Sequence, residues 1–279
     1  MLDKNFGLVF KEIRKKRGFK LDSFASVPIS KSTLSRFETG KTSLEVDKFY
    51  QALRFMDVPM AEVEQTYLAA TRGSFKAIYD ELYEAYYEMD VEKIRAFQKG
   101  FHEPVQKLAM KCLLLDFTAN GQLTEEDEET LVDFFDEIEN WTIYELSLLQ
   151  FSVAQLNARD ITNLLNNLHE DTKKLQTIRQ YRRYIVQITL KGAFALAFQN
   201  NLKKAEQELD LAFDISDPDD LYLRNEIAFM RGYHLYKQGF PQKGHALAKK
   251  AIQIFKDLQS DYAANYFEML EKRFMKVQK

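Results

Sequence analysis

With 279 residues, 46% of them hydrophobic and 29% charged, the chain is long enough for one large or two unequal domains and is not disordered as a whole. A single cysteine, Cys112, excludes an intrachain disulfide, and no apolar run approaches the ~18 residues that a membrane span needs, so a reducing, cytoplasmic setting is expected. The net charge of −3 hides an asymmetry: Met1 to Lys41 holds ten Lys or Arg against Asp3, Glu12, Asp22 and Glu38, a balance of +6 that leaves −9 for the remaining 238 residues.

Ten glycines and five prolines leave few breaks between long periodic segments, and no alternating strand pattern stands out, which predicts an all-α protein. Phe6, Val9, Phe10 and Ile13 make the apolar stripe of a first helix that ends near Arg17-Gly18, and Leu21, Phe24 and Ala25 begin a second. The stretch "SKSTLSRFETGK", residues 30 to 41, predicts a third: Ser30 as N-cap, Gly40 closing it in a left-handed conformation, and about two turns between. Its Leu34 and Phe37 share an inner face, while Lys31, Ser32, Ser35 and Arg36 point outward. So short a helix must be held by its neighbours. Ser43 is expected to cap a fourth helix with Leu44, Val46, Phe49, Tyr50 and Leu53 inward, and Pro59 to open a fifth, completing a module over residues 1–69.

The order of these helices and the stretch from Ser30 to Lys41 resemble the helix-turn-helix DNA-binding domains of the lambda-repressor type, also called the Xre family. The resemblance implies that residues 31–38 form the recognition helix, with Lys31, Ser32 and Arg36 reaching base edges in the major groove and Arg36 as a bidentate guanine reader. Thr33 and Ser35 then become phosphate or packing contacts. Lys41 and Ser43, at the approach to the fourth helix, bind phosphate and position the protein without specifying sequence. Arg14 and Glu38 occupy positions that pair across the family's fold, a structural tie. The turn "SVPIS" departs from the family pattern, being one residue shorter and lacking glycine.

"ATRGS", residues 70–74, reads as a linker, after which helical periodicity resumes over 75–279 with Tyr79, Tyr83, Tyr86 and Tyr87 in one helix. A repeat is visible near the end: Ala193, Leu196, Ala205, Leu209 and Ala212 recur as Gly232, Leu235, Gly244, Ala248 and Ala251, each offset by 39. Small residues at this spacing resemble tetratricopeptide repeats, in which they let paired antiparallel helices approach, and the resemblance implies a right-handed superhelix with a concave face. Earlier pairs are suggested at 75–88 with 91–100, 104–119 with 124–139 and 141–157 with 160–170. Inward-facing positions carried over from the repeat are Gln187, Leu190, Phe194 and Phe198 from one pair and Glu226, Phe229, Tyr233 and Tyr236 from the next. Aromatic stripes of this kind are more often core. Polar Gln187 and Glu226, interleaved at matching places, argue instead for a groove that holds a peptide.

Nothing points to catalysis. His102, His169, His234 and His245 lack metal-ligand spacing, no glycine-rich phosphate loop is present, and the acidic run Glu125 to Glu129 suits the start of a helix at Thr124 better than a metal site, so no cofactor is expected. The head, the chain length, "W-x-x-Y-E-L" from Trp141 and "GYHLYKQG" from Gly232 together resemble the Rgg/GadR/MutR regulators of Gram-positive bacteria. That resemblance implies a cytoplasmic homodimer that binds double-stranded DNA through the head and a short apolar signalling peptide through the repeats. The alternative is a protein-binding scaffold whose helix-turn-helix reads nothing; it gives no reason to keep Lys31, Arg36 and Lys41 on one exposed face.

Overall fold

The computed structural model describes residues 4–70, 75–117 and 121–276. Past Ala70 the expected linker lies outside these residues, as does the side chain of Tyr79. The chain divides into two compact units, Met1–Asp80 and Glu81–Lys279. All regular structure among the described residues is helical.

In the first unit, α1 (Lys4–Lys16) is followed by a 3-10 turn (Leu21–Ser26), α2 (Lys31–Glu38), α3 (Val46–Phe55) and α4 (Met60–Ala70). The second element is therefore not the α-helix expected. Gly18, in the left-handed region at φ 78°, ends α1, and Pro28 forces Val27 into an extended conformation (φ −99°, ψ 141°). The six residues that form the turn between them include Phe24, which leaves helical geometry at ψ 22° to bury its ring. Val9, Phe10, Ile13, Phe24, Leu34, Phe37, Phe49 and Leu53 form one core, bound together by edge-on and tilted rings such as Phe10 with Phe37, centroids 5.7 Å apart.

Two expectations at the fourth helix fail. Leu44 packs onto the core from the loop, so α3 starts beyond it at Val46 with Glu45 in the cap position, and Ser43 caps nothing. Val46, in the first position of the helix, is 79% exposed, and Tyr50, at the margin of the stripe made by Phe49, Ala52, Leu53 and Met56, is 51% exposed.

The second unit takes up the C-terminal half of α5 (Phe75–Tyr87) and continues through α6 (Val91–Gln98), α7 (Pro104–Leu115), α8 (Glu125–Asp136), α9 (Ile143–Ser152), α10 (Ala158–Asp171), α11 (Arg179–Phe198), α12 (Leu202–Ile215), α13 (Leu221–Lys237), α14 (Pro241–Asp257) and α15 (Asp261–Phe274). The pair 104–119 with 124–139 is met by α7 against α8, and α11 with α12 and α13 with α14 pair as the offset repeat implies, whereas α10 packs on α11 and α8 and not on α9 as the sequence suggested. One layer runs through neighbouring contacts α7 to α9 to α11 to α13 to α15, while α8 touches α10 and α12 and α14 cover their partners. The offset repeat has a direct cause. A Cβ on Gly232 would lie 2.8 Å from the Ala248 nitrogen and 2.9 Å from the Gly244 oxygen, so α13 and α14 cross backbone to backbone and tolerate no side chain there. Ala193, Leu196, Ala205 and Ala212 are likewise buried where α11 meets α12.

Trp141 is buried and stacks on Phe135 with centroids 6.3 Å apart, just ahead of the Thr142–Glu145 capping box that opens α9. Thr124 caps α8 in the same way, and the acidic run behind it serves the helix start, with Asp127 receiving both the Thr124 amide and the Lys111 ammonium. Those donors hold the Asp127 carboxyl below its ordinary range. Cys112 is fully buried, and burial pushes its thiol up.

Candidate nucleic-acid interface and groove

The recognition segment is short, and three devices hold it. Ser30 Oγ accepts the Thr33 amide at 3.1 Å, capping the start of α2. At the other end the Gly40 amide donates to the Phe37 carbonyl at 2.9 Å and the Lys41 amide to the Arg36 carbonyl at 2.8 Å, a Schellman closure made possible by φ 67° at Gly40. Beneath, Arg14 clamps the helix: its Nε and Nη2 donate to the two Glu38 carboxylate oxygens at 2.5 and 2.8 Å, and its Nη1 to the Phe19 carbonyl at 2.6 Å. Both partners are buried, and the fork geometry leaves neither charge unmatched. Gly7 adds a close approach, because a Cβ there would sit 2.0 Å from the Phe37 carbonyl oxygen.

On the outer face Lys31, Ser32 and Arg36 are exposed, Thr33 and Ser35 half-buried, and Lys41 and Ser43 exposed beyond the helix end. None of the seven residues assigned from the sequence is buried, but they are not equivalent. Lys31 pairs with Asp22 at 2.7 Å. Ser30, Ser32 and Thr33 share hydroxyl hydrogen bonds at 2.8 and 2.9 Å. The Arg36 guanidinium and the Lys41 ammonium make no hydrogen bond or ion pair among the described residues, so they present unsatisfied donors to whatever approaches. Asp22, missed in the sequence as a modulator of this face, gave no signal there because the pairing crosses the 3-10 turn.

The groove residues separate more sharply. Leu190 and Phe229 are fully buried, Phe229 against Phe267 at 4.8 Å, and Tyr233 is buried beneath Phe194 at 4.5 Å; these three are core, not lining. Tyr236 lies edge-on to His245 and donates to the Lys276 carbonyl at 2.8 Å. Gln187 and Glu226 do interleave with aromatics, yet the chain itself covers them. Tyr83 at the end of α5 receives the Gln187 amide, and its hydroxyl donates to Tyr87 at 3.1 Å. Gln150 donates to Gln187 at 3.3 Å. Glu226 is buried, its Oε2 without a hydrogen-bond partner among the described residues, and burial, opposed by the charges of Lys191 and Arg183, raises its carboxyl to about 7.

Phe194 and Phe198 remain. They line a cavity of about 260 Å³ between the ends of α7, α11 and α15, with Tyr266 and Phe274 opposite and with Lys191, Arg273 and Asp116 at its wall. Lys191 was legible as the one basic residue in the apolar run from Ile188 to Phe198, a position where lysine is rarely placed without a reason.

A capped, clamped two-turn helix whose Arg36 and Lys41 side chains are unengaged among the described residues, followed by a separate unit of stacked helices with an open pocket, defines a helix-turn-helix regulator with a helical-repeat domain. The family model for the C-terminal domain of the HTH-type transcriptional regulator Rgg matches residues 78–269, and a helix-turn-helix model matches residues 10–63. The chain belongs to the Rgg family of transcriptional regulators, a family that is not a class of enzymes. Among solved structures, the SHP pheromone receptor Rgg2 of Streptococcus dysgalactiae is similar at TM-score 0.72 and 20% identity over 96% of this chain and 99% of that one. A protein from Listeria monocytogenes EGD-e is similar at TM-score 0.78 and 19% identity over 99% and 98%. PlcR of Bacillus thuringiensis, in complex with the peptide PapR7 and DNA, is similar at TM-score 0.61 and 15% identity over 95% and 99%. At these identities the likeness is one of fold.

Proposed function

We propose that the chain is a cytoplasmic, dimeric transcription regulator that reads a two-part DNA site through α2 and is controlled by a short apolar peptide held in the concave groove of its repeat unit. The observation that carries the DNA reading is the contrast within α2: the inner Glu38 is locked to Arg14 in a buried fork, while the outer Arg36 guanidinium has no partner among the described residues. A rigid backing with a free guanidinium suits bidentate recognition of guanine. Ser32 would read beside it, Thr33 and Ser35 support the helix, and Lys41 and Ser43 meet phosphate.

One head offers a single short helix to the groove, too little for a unique address. Two half-sites roughly 34 to 36 Å apart, or a multiple of that, are therefore expected. The peptide reading draws on the apolar cavity beside Phe194 and Phe198 and on relatives whose own descriptions are of a pheromone receptor and a peptide complex. Among the described residues no helix is long and apolar enough to cross a membrane. Sequencing DNA fragments enriched by the purified protein, with and without peptides encoded beside its gene, tests the whole reading. Enrichment of one paired motif, altered by one of the peptides, is the expected result; fragments enriched without any common motif would remove the DNA reading.

A further inference from the structure

The cavity of the repeat unit contains an ammonium that forms no ion pair or hydrogen bond among the described residues. It belongs to Lys191 and lies 4.3 Å from the centroid of the Tyr86 ring, held against its π face. Asp116, the acid at the same wall, is already engaged: its Oδ2 accepts from the Tyr86 hydroxyl at 2.8 Å and its Oδ1 from the Gln155 amide at 2.6 Å. Arg273 donates to the Asp116 backbone carbonyl and lies over Phe274 at 4.9 Å, adding a second positive group to the same wall. The remaining surface is aromatic and aliphatic, with Phe194, Phe198 and Phe274 within it.

Two physical facts select the occupant. An ammonium away from water is costly to keep charged, and burial, opposed by the charges of Asp116 and Glu226, lowers the Lys191 pKa, so an anion brought into direct contact with it is held by a charge-assisted bond in a low dielectric. The volume, about 260 Å³, falls below the ~300 Å³ at which pockets for whole drug-sized ligands begin, so the site takes one bulky group and its acid, not an extended molecule.

We propose that this cavity is an anion subsite in which Lys191 takes the carboxylate of an amphipathic acid while the acid's single bulky apolar group lies among Phe194, Phe198 and Phe274. Binding draws Lys191 off the Tyr86 ring, so it alters the wall formed by the end of α5. The same chemistry has two sources, the free C-terminus of an apolar peptide or a small free aromatic acid. The proposal deepens the groove reading above and rests on it only for the peptide source.

The test uses the full-length protein with matched acid and amide probes. N-acetylphenylalanine and N-acetylphenylalaninamide are compared by ligand-observed NMR, and hexapeptide pools ending in phenylalanine, as acid or as amide, by affinity selection. The acid should be preferred by about tenfold or more in at least one size class, and Lys191→Met should abolish that preference. Should the variant not fold, the acid-to-amide ratio on the unaltered protein decides. A preference confined to the small acid keeps the subsite and removes the peptide C-terminus as its occupant. A preference among the peptides supports both. No preference in either size class, with peptides retained equally as acid and amide, overturns the subsite and leaves the peptide reading standing; no binding by any probe overturns both.

Discussion

The two units treat buried charge in opposite ways. In Met1–Asp80 the buried pair, Arg14 with Glu38, is completed by a third bond to the Phe19 carbonyl, and the remaining polar groups of α2 are turned outward. In Glu81–Lys279, the half-buried Lys191 and the buried Glu226 sit among tyrosines and form no ion pair among the described residues, and the polar Gln187 is taken up by Tyr83 and Gln150. A satisfied buried pair makes a rigid support. A buried carboxyl without such a pair, as at Glu226, makes the unit's stability respond to protons.

The largest effect expected comes from breaking the satisfied pair. Arg14→Ala leaves Glu38 buried and unmatched and should destabilise the first unit by about 3 to 5 kcal/mol, read as early loss of its transition in urea unfolding of the full chain. Replacing both residues by Met and Leu should recover most of that loss, because the cost lies in the orphaned charge.

Removing the unsatisfied charge should do the reverse. The Glu226 carboxyl is raised from 4.5 in the unfolded chain to about 7, so the folded state keeps a proton that the unfolded state releases. Stability from this group is full below 4.5 and is lost as pH rises through about 7. Glu226→Gln should therefore stabilise the protein above neutrality, by on the order of 3 kcal/mol, and flatten the dependence between those values. A pH series of denaturant midpoints checks it; an unchanged slope would mean that Glu226 ionises normally in the folded state.

On the outer face the effects are smaller and of two kinds. Arg36→Ala should cost about 1 to 3 kcal/mol on a preferred site and relax one base position, whereas Lys41→Ala should weaken all sequences alike and lower the salt slope by about one unit. Binding measured across salt concentrations on specific and random duplexes separates them; identical behaviour of the two variants would take recognition away from α2. Smallest is Asp22→Ala, which frees Lys31 from an exposed ion pair worth less than about 1 kcal/mol. It should raise affinity slightly on every sequence and should leave the preferred motif unchanged.

How much of this was legible depends on the range of the interaction. Two caps were: Ser30 and Thr124 are local signals, each side chain bonding an amide three residues on, whereas Ser43, read in the same way, caps nothing because Leu44 packs onto the core before the helix begins. The late helix pairs and their small-residue offset were legible too, since Gly232 and Gly244 mark a close crossing by their chemistry alone, while α10 was assigned to α9 and packs on α11 and α8 because no small-residue signal marks that contact. The 3-10 turn was misread because the apolar spacing of Leu21, Phe24 and Ala25 suits a helix, and only the limits set by Gly18 and Pro28 together shorten it.

The groove shows where sequence reasoning stops. Periodicity placed Gln187, Phe194, Glu226 and Phe229 on one side of their helices, but whether a residue on that side meets ligand, core or another part of the chain depends on what packs against it. The answer came from the tyrosines of α5, more than a hundred residues before Glu226 in sequence, which cover the polar positions and leave the cavity at Phe194 and Phe198. The sequence by itself determined the helices, the order of the two units and the outer face of α2, because these follow from local hydrogen bonds and periodic burial. Only the tertiary structure decided which charges are matched. Ion pairing is settled by distances of a few ångströms between residues that the chain brings together from far apart, and that separation leaves Arg14 answered by Glu38 and Lys191 facing a ring.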